Sequence, residues 1–311
     1  MTAWRHLRSD PWALAGAIVV VLFVLGAALA PLITGINGQD PYSYHLSALD
    51  DSGSPRGFGG GISWQHWFGV EPLSGRDLFA IVLFGARTSI LVGVGASLAS
   101  VVVGVVVGLV AGYFGGWIDR VVSRVVDVML GFPSLVFMIS LTAIVATSFP
   151  KPLLIVLIIG FFGWPAVARV VRGQVLSLRS RTFVTAAEAM GAPAGHILVR
   201  LLLPNVGATI IVYATILIPA SIGTEAALSF LGVGVPPPTP SWGRSIGDAV
   251  AWFSTDPAYL AFPGGALFLL TLAFNAFGDG LRDALDPKVT TGRRGRSATT
   301  PVVDEREVPA R

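Results

Sequence analysis

The stretch Ser100-Val101-Val102-Val103-Gly104-Val105-Val106-Val107-Gly108-Leu109-Val110-Ala111-Gly112 holds no charge, no proline and a single polar side chain. It lies inside an apolar run over residues 87–114. A helix needs about 20 such residues to cross the hydrocarbon of a bilayer, so this run is long enough to span. Gly104, Gly108 and Gly112 recur every fourth residue and share one helix face. That spacing lets a second backbone approach closely, although glycine is also simply frequent in membrane helices.

Five more runs flank it, at residues 12–33, 121–147, 153–176, 197–231 and 262–281. Across 311 residues, 53% are hydrophobic and 13% charged, which excludes a water-soluble domain and a disordered chain. The fold class expected is therefore an all-α integral membrane protein with six transmembrane helices. It would consist of a head at 1–11, a first span at 12–34, a loop at 35–85, a core of five spans at 86–286 interrupted by a loop at 177–196, and a disordered tail at 287–311. The first span follows Arg5, His6 and Arg8 as a secretory signal would, but it exceeds the roughly 7 to 15 apolar residues of a signal and is read as retained. Gly115-Gly116 is so short a break that the second and third runs should form an antiparallel hairpin. Pro133, Pro165, Pro204 and Pro219 predict kinks or interruptions.

Lys and Arg set the orientation. With the N-terminus cytoplasmic, that side holds Arg5, Arg8, Arg120, Arg124, Arg169, Arg172, Arg179, Arg181, Arg200, Arg282, Lys288 and the arginines of the tail. The other side keeps Arg56, Arg76, Arg87, Lys151 and Arg244, so both termini should face the cytoplasm. The formal charge of +3 comes from 21 basic and 18 acidic residues, with no basic stretch interleaved with aromatics, and gives no support to nucleic-acid binding.

Little here is suited to catalysis. The chain has no cysteine, which removes disulfides, thiolate metal sites and cysteine nucleophiles. Its four histidines, His6, His45, His66 and His196, follow no metal-ligand spacing. There is no Walker lysine loop, no His-Glu-x-x-His and no Gly-x-Ser-x-Gly. Gly57-Phe58-Gly59-Gly60-Gly61 lacks the strand and helix that a nucleotide site would need. No cofactor is expected on this chain, and any ATP must be bound elsewhere.

The segment Ser180-Arg181-Thr182-Phe183-Val184-Thr185-Ala186-Ala187-Glu188-Ala189-Met190-Gly191 reads as one short helix with Ser or Thr caps and a glycine stop. Phe183, Ala186, Ala187 and Met190 form an apolar stripe, with Arg181, Thr185 and Glu188 polar. Such a helix either lies on a bilayer surface or docks into a partner's groove. Its small residues favour a protein partner.

The order Thr185-Ala186-Ala187, Gly191 and Leu203-Pro204-Asn205 resembles the coupling-loop signature of ABC importer permeases, which usually begins Glu-Ala-Ala. In sequence order the chain also carries His66-Trp67-Phe68-Gly69, Gly75-Arg76-Asp77, Gly85-Ala86-Arg87-Thr88-Ser89, Ala111-Gly112-Tyr113-Phe114-Gly115-Gly116, Phe132-Pro133-Ser134, Val171-Arg172-Gly173-Gln174, Leu228-Ser229-Phe230-Leu231-Gly232, Pro237-Pro238-Thr239-Pro240-Ser241-Trp242-Gly243 and Gly278-Asp279-Gly280-Leu281-Arg282-Asp283. Together they are similar to the C-type subunit of the oligopeptide, dipeptide and nickel permease family. The resemblance implies a type I importer fold, a homologous permease partner, two ATPase subunits that bind ATP and Mg, an extracytoplasmic substrate-binding protein, and transport of peptides or of nickel and other chelates by alternating access. It implies ATPase coupling through Phe183, Thr185, Ala186, Ala187, Glu188, Met190 and Gly191. Thr185 replaces the usual acid, and Leu201 stands where a histidine is often found, three positions before Pro204.

A secondary transporter would instead need a relay of intramembrane ionisable groups, for which Asp127 and Glu225 are the candidates. Glu225, in Gly223-Thr224-Glu225-Ala226, is either a structural partner inside the bundle or part of a water-lined, unwound pathway. No inverted repeat supports that class. The loop at 35–85 sets Asp40, Asp50, Asp51, Glu71 and Asp77 against Arg56 and Arg76, beside Tyr42, Tyr44, Trp64 and Trp67. Asp50, Asp51, Trp64 and Trp67 are candidate docking residues for the binding protein, the alternative being interfacial anchoring by the tryptophans.

Overall fold

The computed structural model describes residues 10–145 and 149–285. The tail at 287–311 and nearly all of the 1–11 head lie outside the described residues. Among the described residues, apart from two short 3-10 turns, ten helices follow in chain order: α1 (Pro11–Ala28), α2 (Ala30–Thr34), α3 (Leu78–Phe114), α4 (Gly116–Gly131), α5 (Ser134–Ile144), α6 (Lys151–Arg179), α7 (Thr182–Ala189), α8 (Ala194–Phe230), α9 (Trp242–Ala249) and α10 (Pro257–Leu285). Among the described residues there is no strand.

Five helices, α1, α3, α6, α8 and α10, are long and apolar enough to cross a membrane. The sixth run is a bent pair, α4 and α5, turned by 86° at Phe132-Pro133. Pro133 blocks the continuing ladder, and Phe132 ahead of it adopts the extended backbone that a residue before proline prefers. Pro165 and Pro219, by contrast, lie inside unbroken helices. The run at 121–147 is thus interrupted where Pro133 is expected to interrupt it, and the bent pair counts as the sixth span when taken as one.

Boundaries moved for identifiable reasons. The loop drawn to residue 85 ends at Asp77, whose buried Oδ1 accepts the Ala80 N–H at 2.7 Å and starts α3 eight residues earlier. At the other end Gly115 and Gly116 take φ of +65° and +58°, left-handed values that stop the helix at Phe114. The first span breaks at Leu29. α6 extends to Arg179, into the loop drawn from 177.

The long partner of α3 is α6. A Cβ on Gly104 would fall 2.5 Å from Val167 Cβ and 2.8 Å from the Trp164 carbonyl; one on Gly108 would meet the Ala168 carbonyl at 2.8 Å. On Gly112 it would meet Val175 Cβ at 2.8 Å. The glycine spacing is therefore a helix-packing surface, and α3 pairs along it with α6 far more than with the neighbouring α4.

At one end of the bundle, Val101, Leu109, Val171, Val175, Ile197 and Leu202 form an apolar core under α7. At the other end, α9 is wedged between α3 and α8. Trp242 is fully buried there, its indole N–H donates to the Val82 carbonyl at 2.8 Å, and it fills the notch left by Gly85. Gly243 lies so close to α8 that a Cβ would fall 2.2 Å from the Ala226 carbonyl.

Candidate functional site

The candidates read from the sequence fall in three groups: the short helix α7, the carboxylate of Glu225, and the segment between α2 and α3.

α7 starts after Arg181 without a side-chain cap, so the serine or threonine cap expected from sequence is not formed. Its C-terminus closes with Gly191 N–H to the Glu188 carbonyl (2.9 Å) and Ala192 N–H to the Ala187 carbonyl (3.0 Å), Gly191 sitting at φ +80°. The apolar stripe divides differently from the sequence reading. Val184 and Ala187 are buried against the core of α3, α6 and α8, while Phe183, Ala186 and Met190 are exposed, Met190 by 82%. Ala187 thus anchors the helix to its own chain, and Val184, which the sequence reading assigns to neither face, is the second anchor. Thr185 and Glu188 are exposed, and the Thr185 hydroxyl donates to the Thr182 carbonyl at 3.1 Å. Among the described residues nothing lies within 4 Å of a Cβ built on Gly191, so its backbone angle is what favours glycine there.

Behind α7 the chain enters α8 through a π-helical turn, Ile197–Leu202, an uncommon geometry that functional sites often carry. Asn205 donates its side-chain N–H to the Leu201 carbonyl at 2.7 Å, next to the ladder position that Pro204 cannot fill. Asp119 and Asp127 on α4 pair with Arg172 and Arg169 on α6. Asp127 is therefore half of an exposed ion pair and no part of a buried relay.

Glu225 is fully buried on a helix that stays wound through Gly223 and Thr224, so of the two alternatives read from sequence the unwound stretch is not formed. Its Oε1 accepts hydroxyls from Ser229 (2.8 Å) and Ser241 (3.1 Å), and its Oε2 accepts from Ser89 (3.0 Å). The Ser229 oxygen in turn accepts the Val235 N–H at 3.2 Å. One carboxylate ties α3, α8 and the segment leading into α9. Three serine hydroxyls meet the hydrogen-bonding capacity of this buried carboxyl group.

Between α2 and α3 the five acids are not one solvated surface. Glu71 accepts from Arg76 Nε (2.7 Å), from the Ser74 hydroxyl (2.5 Å) and from the Tyr259 hydroxyl of α10 (2.6 Å). Burial alone would raise its pKa, but the Arg76 guanidinium and these hydroxyls hold the carboxyl below its ordinary range. Burial pushes the Asp77 carboxyl up, opposed by the Ala80 N–H and by His66 Nδ1 at 2.8 Å. Asp50 and Asp51 are exposed, Asp50 accepting from Ser52 and Ser54 within its own turn. Trp64 is 86% exposed, whereas Trp67 donates to the Trp64 carbonyl at 3.0 Å and packs on Phe79. Among the described residues no three His, Asp or Glu side chains converge as a metal site.

A lowered Glu71 pKa adds stability above its unfolded value, and that contribution is lost as pH falls through the folded one. Glu71→Gln should remove this pH-dependent part and leave Arg76 buried without its partner, costing up to about 3 kcal/mol. Asp77 titrates in the opposite sense, so the check is the difference between parent and variant thermal melts from pH 7 to pH 3. Parallel curves would mean that Glu71 is not tied to Arg76 in the folded protein.

Residues 104–291 match the family described as binding-protein-dependent transport system inner membrane component. Residues 1–52 match the N-terminal TM domain of oligopeptide transport permease C. The chain belongs to the ABC importer permease family. This permease is 39% identical over 286 residues to the glutathione transport system permease protein GsiD of Escherichia coli strain UTI89 and to that of Shigella sonnei, covering 92% of this chain and 89% of each relative. The protein of that name from Shigella dysenteriae serotype 1 is 38% identical over the same share. The permease is a multi-pass inner-membrane transport subunit of the oligopeptide type, and ATP is hydrolysed on separate chains. An enzyme and a secondary transporter are both set aside by that membership.

Proposed function

We propose that this permease pairs with a second, homologous permease to form a translocation pathway for small peptides, fed by a binding protein outside and driven by two ATPase subunits that bind ATP and Mg inside. The GsiD relatives are glutathione transport permeases and glutathione is a peptide, which supports a peptide over nickel or another metal chelate. The observation that carries the mechanism is the geometry of α7. Val184 and Ala187 fasten it to the bundle, and Phe183, Ala186 and Met190 present an exposed apolar face among the described residues, flanked by Thr185, Glu188 and Gly191. A groove that grips this face can push α7 against the core of α3, α6 and α8 and so bias the bundle between two states.

Phe183→Asp places a charge on that face without touching the core. It should abolish binding-protein-stimulated ATPase activity in the reconstituted complex while the melting temperature stays within a few degrees of the parent. Normal stimulation would remove α7 from the ATPase interface.

The orientation proposed puts both termini and 177–196 in the cytoplasm, with 35–77 and 231–256 outside. Ser52 and Ser180 are both exposed, and the chain has no cysteine. Single Ser52→Cys and Ser180→Cys variants should react with an impermeant maleimide from outside only at position 52. The reverse pattern would invert the topology. Trp64, Asp50 and Asp51 are the exposed candidates for meeting the binding protein in that outer segment, with Trp67 supporting Trp64 from beneath.

A further inference from the structure

The segment between α2 and α3 holds a pair of histidines that nothing above accounts for. His45 and His66 have ring centroids 5.0 Å apart, with planes inclined by 59°. His66 is buried, and its Nδ1 faces the carboxylate of Asp77 at 2.8 Å, which leaves Nε2 as its free ring nitrogen. His45 Nε2 is buried and has no hydrogen-bond partner, and neither has Gln39 Oε1. Gln39, His45 and His66 line one polar cavity of about 500 Å³.

The geometry points to a divalent transition-metal site in this cavity, with His45 and His66 as imidazole ligands, the Gln39 side-chain carbonyl as a third and water completing the shell. Two imidazoles on one tetrahedral ion, at metal–nitrogen distances of about 2.0–2.1 Å, set their ring centroids roughly 5 Å apart, which is the spacing here. The carboxylate behind His66 is the arrangement that fixes the tautomer and orientation of a metal-bound imidazole. Two buried atoms without donors, one an amide oxygen and one a ring nitrogen, are satisfied by a cation more directly than by an anion. The charged side chain lining the cavity, Arg56, is exposed and free to turn to solvent.

The backbones that carry the ligands are already fixed. Gly75, at φ +68°, packs so closely on His45 that a Cβ would fall 2.4 Å from the His45 carbonyl. The His66 carbonyl accepts from Ser63 and Gly69 N–H at 2.9 and 3.0 Å. Imidazole ligands favour Zn²⁺, Ni²⁺ or Cu²⁺ over Mg²⁺. A bound ion would fasten residues 39–45 to the turn that precedes α3, a staple in a long loop that has no cysteine for a disulfide.

The test uses the assembled complex, purified without a histidine tag, stripped with chelator, then exposed to Zn²⁺ or Mg²⁺ alone and desalted. Elemental analysis should find about one Zn²⁺ more per permease in the parent than in His45→Ala, and no difference for Mg²⁺. His66→Asn keeps a side-chain donor for Asp77 and should lose the same ion while the complex still assembles. Zn²⁺ should raise the melting temperature of the parent and not of either variant. Equal Zn²⁺ content in parent and both variants, or an equal thermal shift, overturns the site.

Discussion

Glu225→Ala should lower the stability of the permease by about 3 kcal/mol, because it leaves buried hydroxyls from three segments competing for acceptors. Ser89 and Ser229 sit on helices and can turn back to their own i−4 carbonyls, which caps the loss. Ser241 and the Val235 N–H that rests on Ser229 have no such recourse, so the segment between α8 and α9 should loosen first. Glu225→Gln separates structure from chemistry. Its amide oxygen can accept from Ser229 and Ser241, and its N–H₂ can donate to Ser89. A structural tie predicts that the amide keeps most of the stability and the transport, whereas a proton or substrate site predicts that stability survives and transport is lost. Melting temperature and peptide uptake in vesicles decide between them, and an alanine variant as stable as the parent would dissolve the tie altogether.

The second large effect is expected along α3 and α6. Gly104→Val puts branched carbon where the Val167 Cβ and the Trp164 carbonyl already stand, at 2.5 and 2.8 Å from the first added atom alone. Neither neighbour is the movable end of a long side chain, so the helices must part, at about 3 kcal/mol or more. The folded yield in detergent and the protection of the chain from protease should both fall. Val167→Ala should restore only part of the loss, since the carbonyl remains in the way. Wild-type yield for Gly104→Val would mean that α3 and α6 are not in backbone contact there.

How much of this was legible in the sequence follows the range of each interaction. The spans came from hydropathy, the glycine face from a four-residue spacing, and the α7 segment from local pattern and family signature. What escaped was long-range. Ser89 meets Glu225 across 136 positions and Glu71 meets Tyr259 across 188, so neither the wound state of α8 around Glu225 nor the burial of Glu71 had a local signal. Of four prolines expected to bend helices, only Pro133 makes a sharp break, because a proline's kink depends on whether neighbours satisfy the freed carbonyl. Val184 was overlooked because helical spacing from Phe183 fits a stripe just as well, and only the core beneath chooses between the two faces. The start of α3 at Leu78 was missed although Asp77 is a favourable cap residue, because the aromatic, glycine-rich stretch before it carries no apolar period.

The length of α3 has a mechanical meaning. Its 37 residues rise about 55 Å, while the hydrocarbon of a bilayer is about 30 Å thick. More than a third of the helix therefore stands clear of the oily layer, carrying the Asp77 end far from the Phe114 end on a single stiff strut. A pivot of about 10° near its middle swings each tip sideways by roughly 5 Å. The end where the 35–77 segment is rooted and the end beside the π-helical turn are thus two ends of one continuous helix, so a tilt at one is a tilt at the other.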